Sequence, residues 1–297
     1  MEQARDQAVR RLAIRADGVT LIADARGDSA NPPVVLLHGG GQTRHAWRDT
    51  AADLAAVGWY AVTVDLRGHG ESGWSPDGQY RLDQLAGDVV RIAEHLGGPP
   101  VLVGASLGGN ASLAALGDRP GLALALVLVD VSPFVRPDGA LRVRKFMAAR
   151  PDGFASVEEA AETVAAYLPH RPRPNNLHGL RRNLRLVDGR YHWHWDPAFL
   201  RAAEDHGAGH DRLTDPARLH DAARSLQVPT LLIRGGNSDV VGPEDARQFL
   251  RLVPHAEYGQ ISGAHHMVAG DDNRQFGALL EDFLKRRVRA RLEVLGT

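Results

Sequence analysis

Short apolar runs alternate along this chain with longer stretches in which apolar residues recur every three or four positions. The runs at 34–38 (VVLLH), 60–65 (YAVTVD), 101–105 (VLVGA) and 124–130 (LALVLVD) are rich in Val and Leu. They predict strands buried on both faces. The stretches between them, 46–57, 82–96 and 107–116, have helical spacing. Strand and helix in this alternation predict right-handed βαβ units on a parallel sheet. Ahead of them, 9–16 and 19–25 flank Asp17-Gly18, which predicts an antiparallel hairpin at the sheet edge.

The rhythm stops after Pro133. Residues 134–225 hold many Arg, His and Pro, with helical spacing at 141–149 and 157–168, a short Pro-rich bend at 170–176 (HRPRPNN) and no convincing parallel strand. It resumes with a strand at 229–236, a helix at 244–252, a strand at 256–261 and a last helix at 273–295. The expectation is one α/β core, residues 1–132 and 226–297, interrupted by a helical insertion at 133–225. A chain of 297 residues can bury such a core.

Composition narrows the chemistry. With 35 basic and 36 acidic residues the net charge is −1, which gives no global electrostatic case for nucleic acid or an anionic membrane. A small neutral substrate fits better. The basic segment 179–185 (GLRRNLR) is expected to be a solvated helix face and not an RNA patch. The absence of cysteine removes disulfides, thiol nucleophiles and thiolate metal sites. The charged opening lacks the apolar segment of a signal peptide, and no apolar run is long enough to span a bilayer, so a cytoplasmic location is expected.

Ser106 sits in Gly104-Ala105-Ser106-Leu107-Gly108, between a predicted strand and a predicted helix. A serine at so sharp a turn needs strained backbone angles, and its neighbours two positions away must lack a Cβ. The turn exposes the hydroxyl above the sheet at a helix N-terminus, where free amides favour developing negative charge. A serine hydroxyl becomes a nucleophile only when a base removes its proton, so a histidine and an orienting carboxylate are expected downstream. Asp239 follows the 229–236 strand, and His266 follows the 256–261 strand. Both loops would face the carboxyl edge of the sheet, where Ser106 emerges.

Taken together, LLHGGGQTRHAW at 36–47, DLRGHGES at 65–72, the GASLGG turn, Ser238-Asp239 and the terminal His loop make the chain resemble the α/β-hydrolase superfamily with a helical cap. The resemblance implies a mostly parallel, doubly wound, eight-stranded sheet. It also implies an oxyanion hole from the backbone amides of Gly40 and Leu107. The triad it implies is Ser106, Asp239 and His266. Asp130 and His265 are the rivals, Asp130 because some members carry the acid after the strand that precedes the cap. The GAHHM pattern favours His266, and the loop after 229–236 favours Asp239.

The expected reaction is hydrolysis of a carboxylic ester or lactone through an acyl-enzyme, with no cofactor. Carbon–carbon bond hydrolysis, amide hydrolysis and perhydrolysis use the same triad, and a non-turnover ligand receptor is the alternative of another class. Gly41, His45, Trp47, Trp193 and Trp195 are expected to line the substrate pocket. His192 and His194, in YHWHW, could suggest a metal pair but lack an adjacent third ligand, so no metal is expected. His38 and Asp65 are expected to hold the loops beneath the site. Oligomeric state is not legible.

Overall fold

The computed structural model describes residues 8–134, 137–171, 176–202, 213, 215–268 and 273–295. Strands β1 (Arg10–Ala16), β2 (Val19–Arg26), β3 (Pro33–Leu37), β4 (Tyr60–Val64), β5 (Val101–Ala105), β6 (Ala125–Val129), β9 (Thr230–Gly235) and β10 (Glu257–Ile261) form one sheet in the order β1-β2-β4-β3-β5-β6-β9-β10. β2 runs antiparallel to β1 and β4, and all remaining neighbours are parallel. The eight-stranded, mostly parallel sheet expected from the sequence is present.

The central strands are apolar throughout because both faces are covered. Alternate residues serve opposite layers: Val35, Leu37, Leu102, Leu126 and Leu128 belong to one buried cluster, and Val34, Leu36, Val101, Val103, Val127 and Val129 to the other. Helices α2 (Leu82–Leu96) and α3 (Leu107–Asp118) cover the first face. Helices α1 (Arg48–Ala56) and α10 (Asn273–Leu284) cover the second, α10 running on through a π turn at Lys285–Arg289 into α11 (Ala290–Leu295).

Between β6 and β9 the chain forms α4 (Pro137–Met147), α5 (Val157–Tyr167), α6 (His178–Arg181), β7 (Leu184–Val187), β8 (Arg190–Trp193), α7 (Pro197–Ala202) and α8 (Pro216–Arg224), with α9 (Pro243–Leu252) following β9. Two expectations need correction. First, the insertion is not purely helical. β7 and β8 form an antiparallel hairpin, and its turn, Asp188-Gly189, has φ of 47° and 78°. Such Asp-Gly pairs favour a tight hairpin turn, and 179–185 is consequently helix only as far as Arg181. Second, α8 packs against α3: a Cβ on Gly117 would lie 2.6 Å from the Ala222 methyl, and Arg218 pairs with Asp118 at 2.6 Å. This helix therefore joins the core layer, and the insertion ends earlier than residue 225. Most of the Pro-rich bend at 170–176 lies outside the described residues. Among the described residues no helix is long and apolar enough to cross a membrane.

Candidate active site

Sheet register explains which side chains meet. β5 and β6 pair with Ala105 opposite Val129, so Ser106 and Asp130 leave the carboxyl edge side by side. Ser106 N–H donates to Val129 O at 3.2 Å, and Asp130 N–H donates to Ile233 O at 2.7 Å. Each is a non-glycine residue at positive φ, 45° for Ser106 and 50° for Asp130. L-residues adopt such angles only where the surrounding structure holds them there. At Ser106 the means is close packing of strand on helix. A Cβ on Gly104 would lie 2.5 Å from Gly108 O, and one on Gly108 would lie 2.5 Å from Leu37 O.

His266 follows β10 and lines the same cavity as Ser106. Its Nδ1 lies 2.7 Å from Asp130 Oδ2, and Asp130 is wholly buried. The expectation that Asp239 orients this histidine is therefore corrected. Asp239 lies four residues beyond the end of β9, and its half-exposed carboxylate pairs with Arg142 of α4 at 2.7 Å. Its neighbour Ser238 is the residue that reaches the histidine's partner: Ser238 Oγ donates to Asp130 Oδ2 at 2.5 Å and accepts from Val240 and Val241 N–H, both at 3.1 Å. Gly235 N–H donates to the other carboxylate oxygen at 2.9 Å. The Asp130 carboxylate thus holds three donors, the arrangement that keeps a buried carboxylate in one orientation. The imidazole that His265 offers stacks instead on His170, centroids 3.6 Å apart.

Of the three glycine amides after His38, two are committed. Gly39 N–H donates to Gln42 Oε1 at 2.9 Å, and Gly41 N–H donates to His69 Nε2 at 3.1 Å. Among the described hydrogen bonds the Gly40 amide has no protein acceptor, and neither has the Leu107 amide at the first position of α3. They are the two amides that the sequence resemblance names as oxyanion donors, a role taken up below as a proposal.

A cavity of about 450 Å³ opens above Ser106. Gly41, His45, Trp47, Trp193 and Trp195 all lie in its wall. Trp193 and Trp195 stack at 5.0 Å, and Phe146 stacks on Tyr167 at 4.2 Å. The wall is thus largely apolar and aromatic, with Ser106 and His266 among its few polar groups, as enclosed small-molecule sites are.

Residues 32–272 match the family described as alpha/beta hydrolase fold. The chain belongs to the α/β-hydrolase family. It is 30% identical to "Esterase Rv0045c" of Mycobacterium tuberculosis over 279 residues, covering 90% of this chain and 87% of that protein. It is 29% identical to the mouse "sn-1-specific diacylglycerol lipase ABHD11" over 266 residues, 87% of this chain and 82% of the relative. Among solved structures, that of the same mycobacterial esterase superposes with a TM-score of 0.75 at 28% identity, covering 96% of this chain and 95% of that one. An E-2-(acetamidomethylene)succinate hydrolase superposes at 0.81 with 22% identity, covering 94% and 100%, which is a likeness of fold.

This α/β hydrolase builds the floor of its site from neutral histidines. Leu66 N–H donates to His38 Nε2 at 3.0 Å, which places the proton on Nδ1, where it meets Gly39 O at 2.8 Å. His69 follows the same logic, with Nε2 accepting from Gly41 and Nδ1 donating to Arg67 O at 3.1 Å. Burial pushes the His38 pKa down to about 4 and, aided by the neighbouring His38, that of His69 down to about 3. Arg44 closes the network: it donates to Asp65 at 2.5 Å and Glu71 at 2.6 Å and forms an ion pair with Asp24 at 2.9 Å. His38 and Asp65 accordingly sit under the loops, as expected. His192 lies against Gly153 while His194 lies against Gly70, and no group of three potential metal ligands occurs among the described residues.

Sequence reasoning missed Ser238, whose signal was its place beside the expected acid, and the insertion residues Val143, Phe146, Tyr167 and Leu180. Their helical spacing was visible, but nothing in it tells which face meets the cavity.

Proposed function

We propose that this chain is a serine hydrolase that cleaves a carboxylic ester or lactone carrying an apolar acyl group. Asp130 takes the place of Asp239 in the triad with Ser106 and His266. The observation that supports this most directly is the strained Ser106 in one cavity with His266, whose Nδ1 lies 2.7 Å from the buried Asp130 carboxylate. That bond leaves Nε2 of His266 as the free base. Nε2 takes the Ser106 proton as Oγ attacks the carbonyl carbon. The Gly40 and Leu107 amides receive the oxyanion, each such donor contributing about 3 kcal/mol to transition-state stabilisation.

Collapse expels the alcohol, which takes its proton from the imidazolium, and leaves an acyl-Ser106 ester. Water, deprotonated by the same imidazole, then releases the acid. Asp130 accepts a charge-assisted bond from the imidazolium in both half-reactions. These steps draw only on side chains and backbone amides, and a small-molecule ester is the sole partner they need. The esterase and lipase names of the relatives agree with this reading. Its test is turnover of p-nitrophenyl esters of graded chain length, with a fluorophosphonate adduct mapped by mass spectrometry. Turnover abolished by Ser106→Ala and an adduct on Ser106 are the expected results. Active wild-type protein without that adduct overturns the assignment.

A further inference from the structure

The segment Trp193-His194-Trp195-Asp196 divides its side chains alternately. Trp193 and Trp195 face the cavity. His194 and Asp196 face the core loop after β4: Gly70 N–H donates to His194 Nδ1 at 2.8 Å, Asp196 N–H donates to Gly68 O at 2.9 Å, and Tyr80 Oη donates to Asp196 Oδ2 at 2.6 Å. The loop so gripped carries His69, whose Nε2 accepts the Gly41 amide. The rings of His69 and His194 lie 5.8 Å apart, and His194 meets Trp195 edge-on at 5.1 Å.

From the other side, insertion residues rest on the same glycines. A Cβ on Gly41 would lie 3.2 Å from Met147 Cγ and 3.5 Å from Trp195 Cζ3, and one on Gly40 would lie 3.6 Å from Met147 Sδ. The 39–41 loop is therefore clasped between His69 beneath and the insertion above. Both jaws of the clasp are tied to the segment that carries the pocket tryptophans.

Building on the serine-hydrolase reading, we propose that His194 and His69 are positioning residues for the Gly40 amide, coupling the seating of Trp193 and Trp195 to the pitch of the oxyanion loop. Gly40 is aimed because its neighbour Gly41 is tethered, and the tether holds only while His194 keeps the His69 loop in place. Burial of all three rings keeps them neutral, so that each acceptor nitrogen remains an acceptor. An acyl chain packed on the tryptophans thereby favours the loop geometry that the transition state needs, and a substrate too short to reach them forgoes it.

The experiment pairs variants that keep or remove one acceptor. For His194, Asn can place Oδ1 where Nδ1 receives Gly70, and Phe keeps a ring without an acceptor. For His69, Gln can place Oε1 where Nε2 receives Gly41, and Leu cannot. Expected for His194→Phe and His69→Leu is a kcat loss of about tenfold or more with KM within about twofold, bounded by the roughly 10²–10³-fold cost of deleting an oxyanion donor. Affinity for a trifluoromethyl ketone, which forms an oxyanionic hemiketal with serine, falls by the same factor. Affinity for a neutral alcohol of equal chain length stays constant. His194→Asn and His69→Gln recover most of the loss.

Unchanged ketone affinity in His194→Phe and His69→Leu, or equal losses for ketone and alcohol, overturns the proposal, because a merely structural clasp weakens both ligands alike. If one of these variants does not fold, the other carries the comparison. Failure of the serine-hydrolase reading is distinguished in the wild-type arm, where no hemiketal on Ser106 would form.

Discussion

Replacing Asp130 by Asn changes a single atom and reverses the logic of the site. The buried carboxylate receives Gly235 N–H at 2.9 Å, Ser238 Oγ at 2.5 Å and His266 Nδ1 at 2.7 Å. An asparagine oxygen can still serve Gly235, but its NH₂ then faces Ser238 and His266. The Ser238 hydroxyl already accepts from Val240 and Val241. The imidazole can accept only by moving its proton to Nε2, the nitrogen that must take the Ser106 proton. In that tautomer general-base catalysis stops.

Loss of the right tautomer in a triad of this type costs about 10³–10⁴-fold in kcat, or roughly 4–5.5 kcal/mol. Losing the charge on one buried acceptor adds about 1–3 kcal/mol of folding instability. Asp239→Asn removes one exposed partner of Arg142, worth about 0–1 kcal/mol, so kcat/KM should stay within about twofold of wild type. The assay is p-nitrophenyl ester hydrolysis on both variants, with circular dichroism melts to establish that Asp130→Asn is folded at the assay temperature. A hundredfold loss in Asp239→Asn beside near-normal Asp130→Asn would refute the assignment.

Three more outcomes follow from the geometry. Gly108→Ala places a methyl 2.5 Å from Leu37 O, and since backbone cannot yield as a side chain does, turnover should fall more than a hundredfold and thermal denaturation should come at least about 5 °C earlier. Trp193→Ala removes an aromatic wall of the cavity; burial of an aromatic side chain is worth up to about 3 kcal/mol, so KM for hexanoyl and longer esters should rise about tenfold while acetyl ester hydrolysis changes little. His38 and His69 are held neutral with pKa values of about 4 and about 3, so below the unfolded histidine value of about 6.5 the unfolded chain binds more protons and stability falls with pH. The loss runs from about pH 6.5 down through pH 4, totals roughly 3 kcal/mol for His38 alone, and should appear as a melting temperature that drops across that window and drops less in His69→Gln.

The middle of the core was legible because its central strands are buried on both faces, which writes a continuous apolar run into residues 34–37, 101–105 and 125–129. Ser106 was legible for a related reason: the close contacts at Gly104 and Gly108 can be met only by residues without a Cβ. The acid was harder. Asp130 and Asp239 both follow strands, and choosing between them needs the lateral order of strands, which sets β6 beside β5 and is not encoded locally. The hairpin in the insertion did carry a signal, Asp188-Gly189, but Arg185, Leu186 and Val187 are exposed and show no alternation of apolar and polar residues. The partition of His194 from Trp195 depends on contacts with a loop more than a hundred residues earlier.

That partition has a consequence for changing what the enzyme accepts. Because cavity-facing and core-facing side chains alternate from Trp193 to Asp196, positions 193 and 195 can be varied together in a library while 194 and 196 are held fixed. Removing a single residue from the Asp188-Gly189 turn would instead risk presenting an imidazole and a carboxylate to the ligand and two indoles to the core. The hairpin's length is therefore the quantity to preserve in any chimera, and the identities at 193 and 195 are the ones to vary when the cavity wall is to be reshaped.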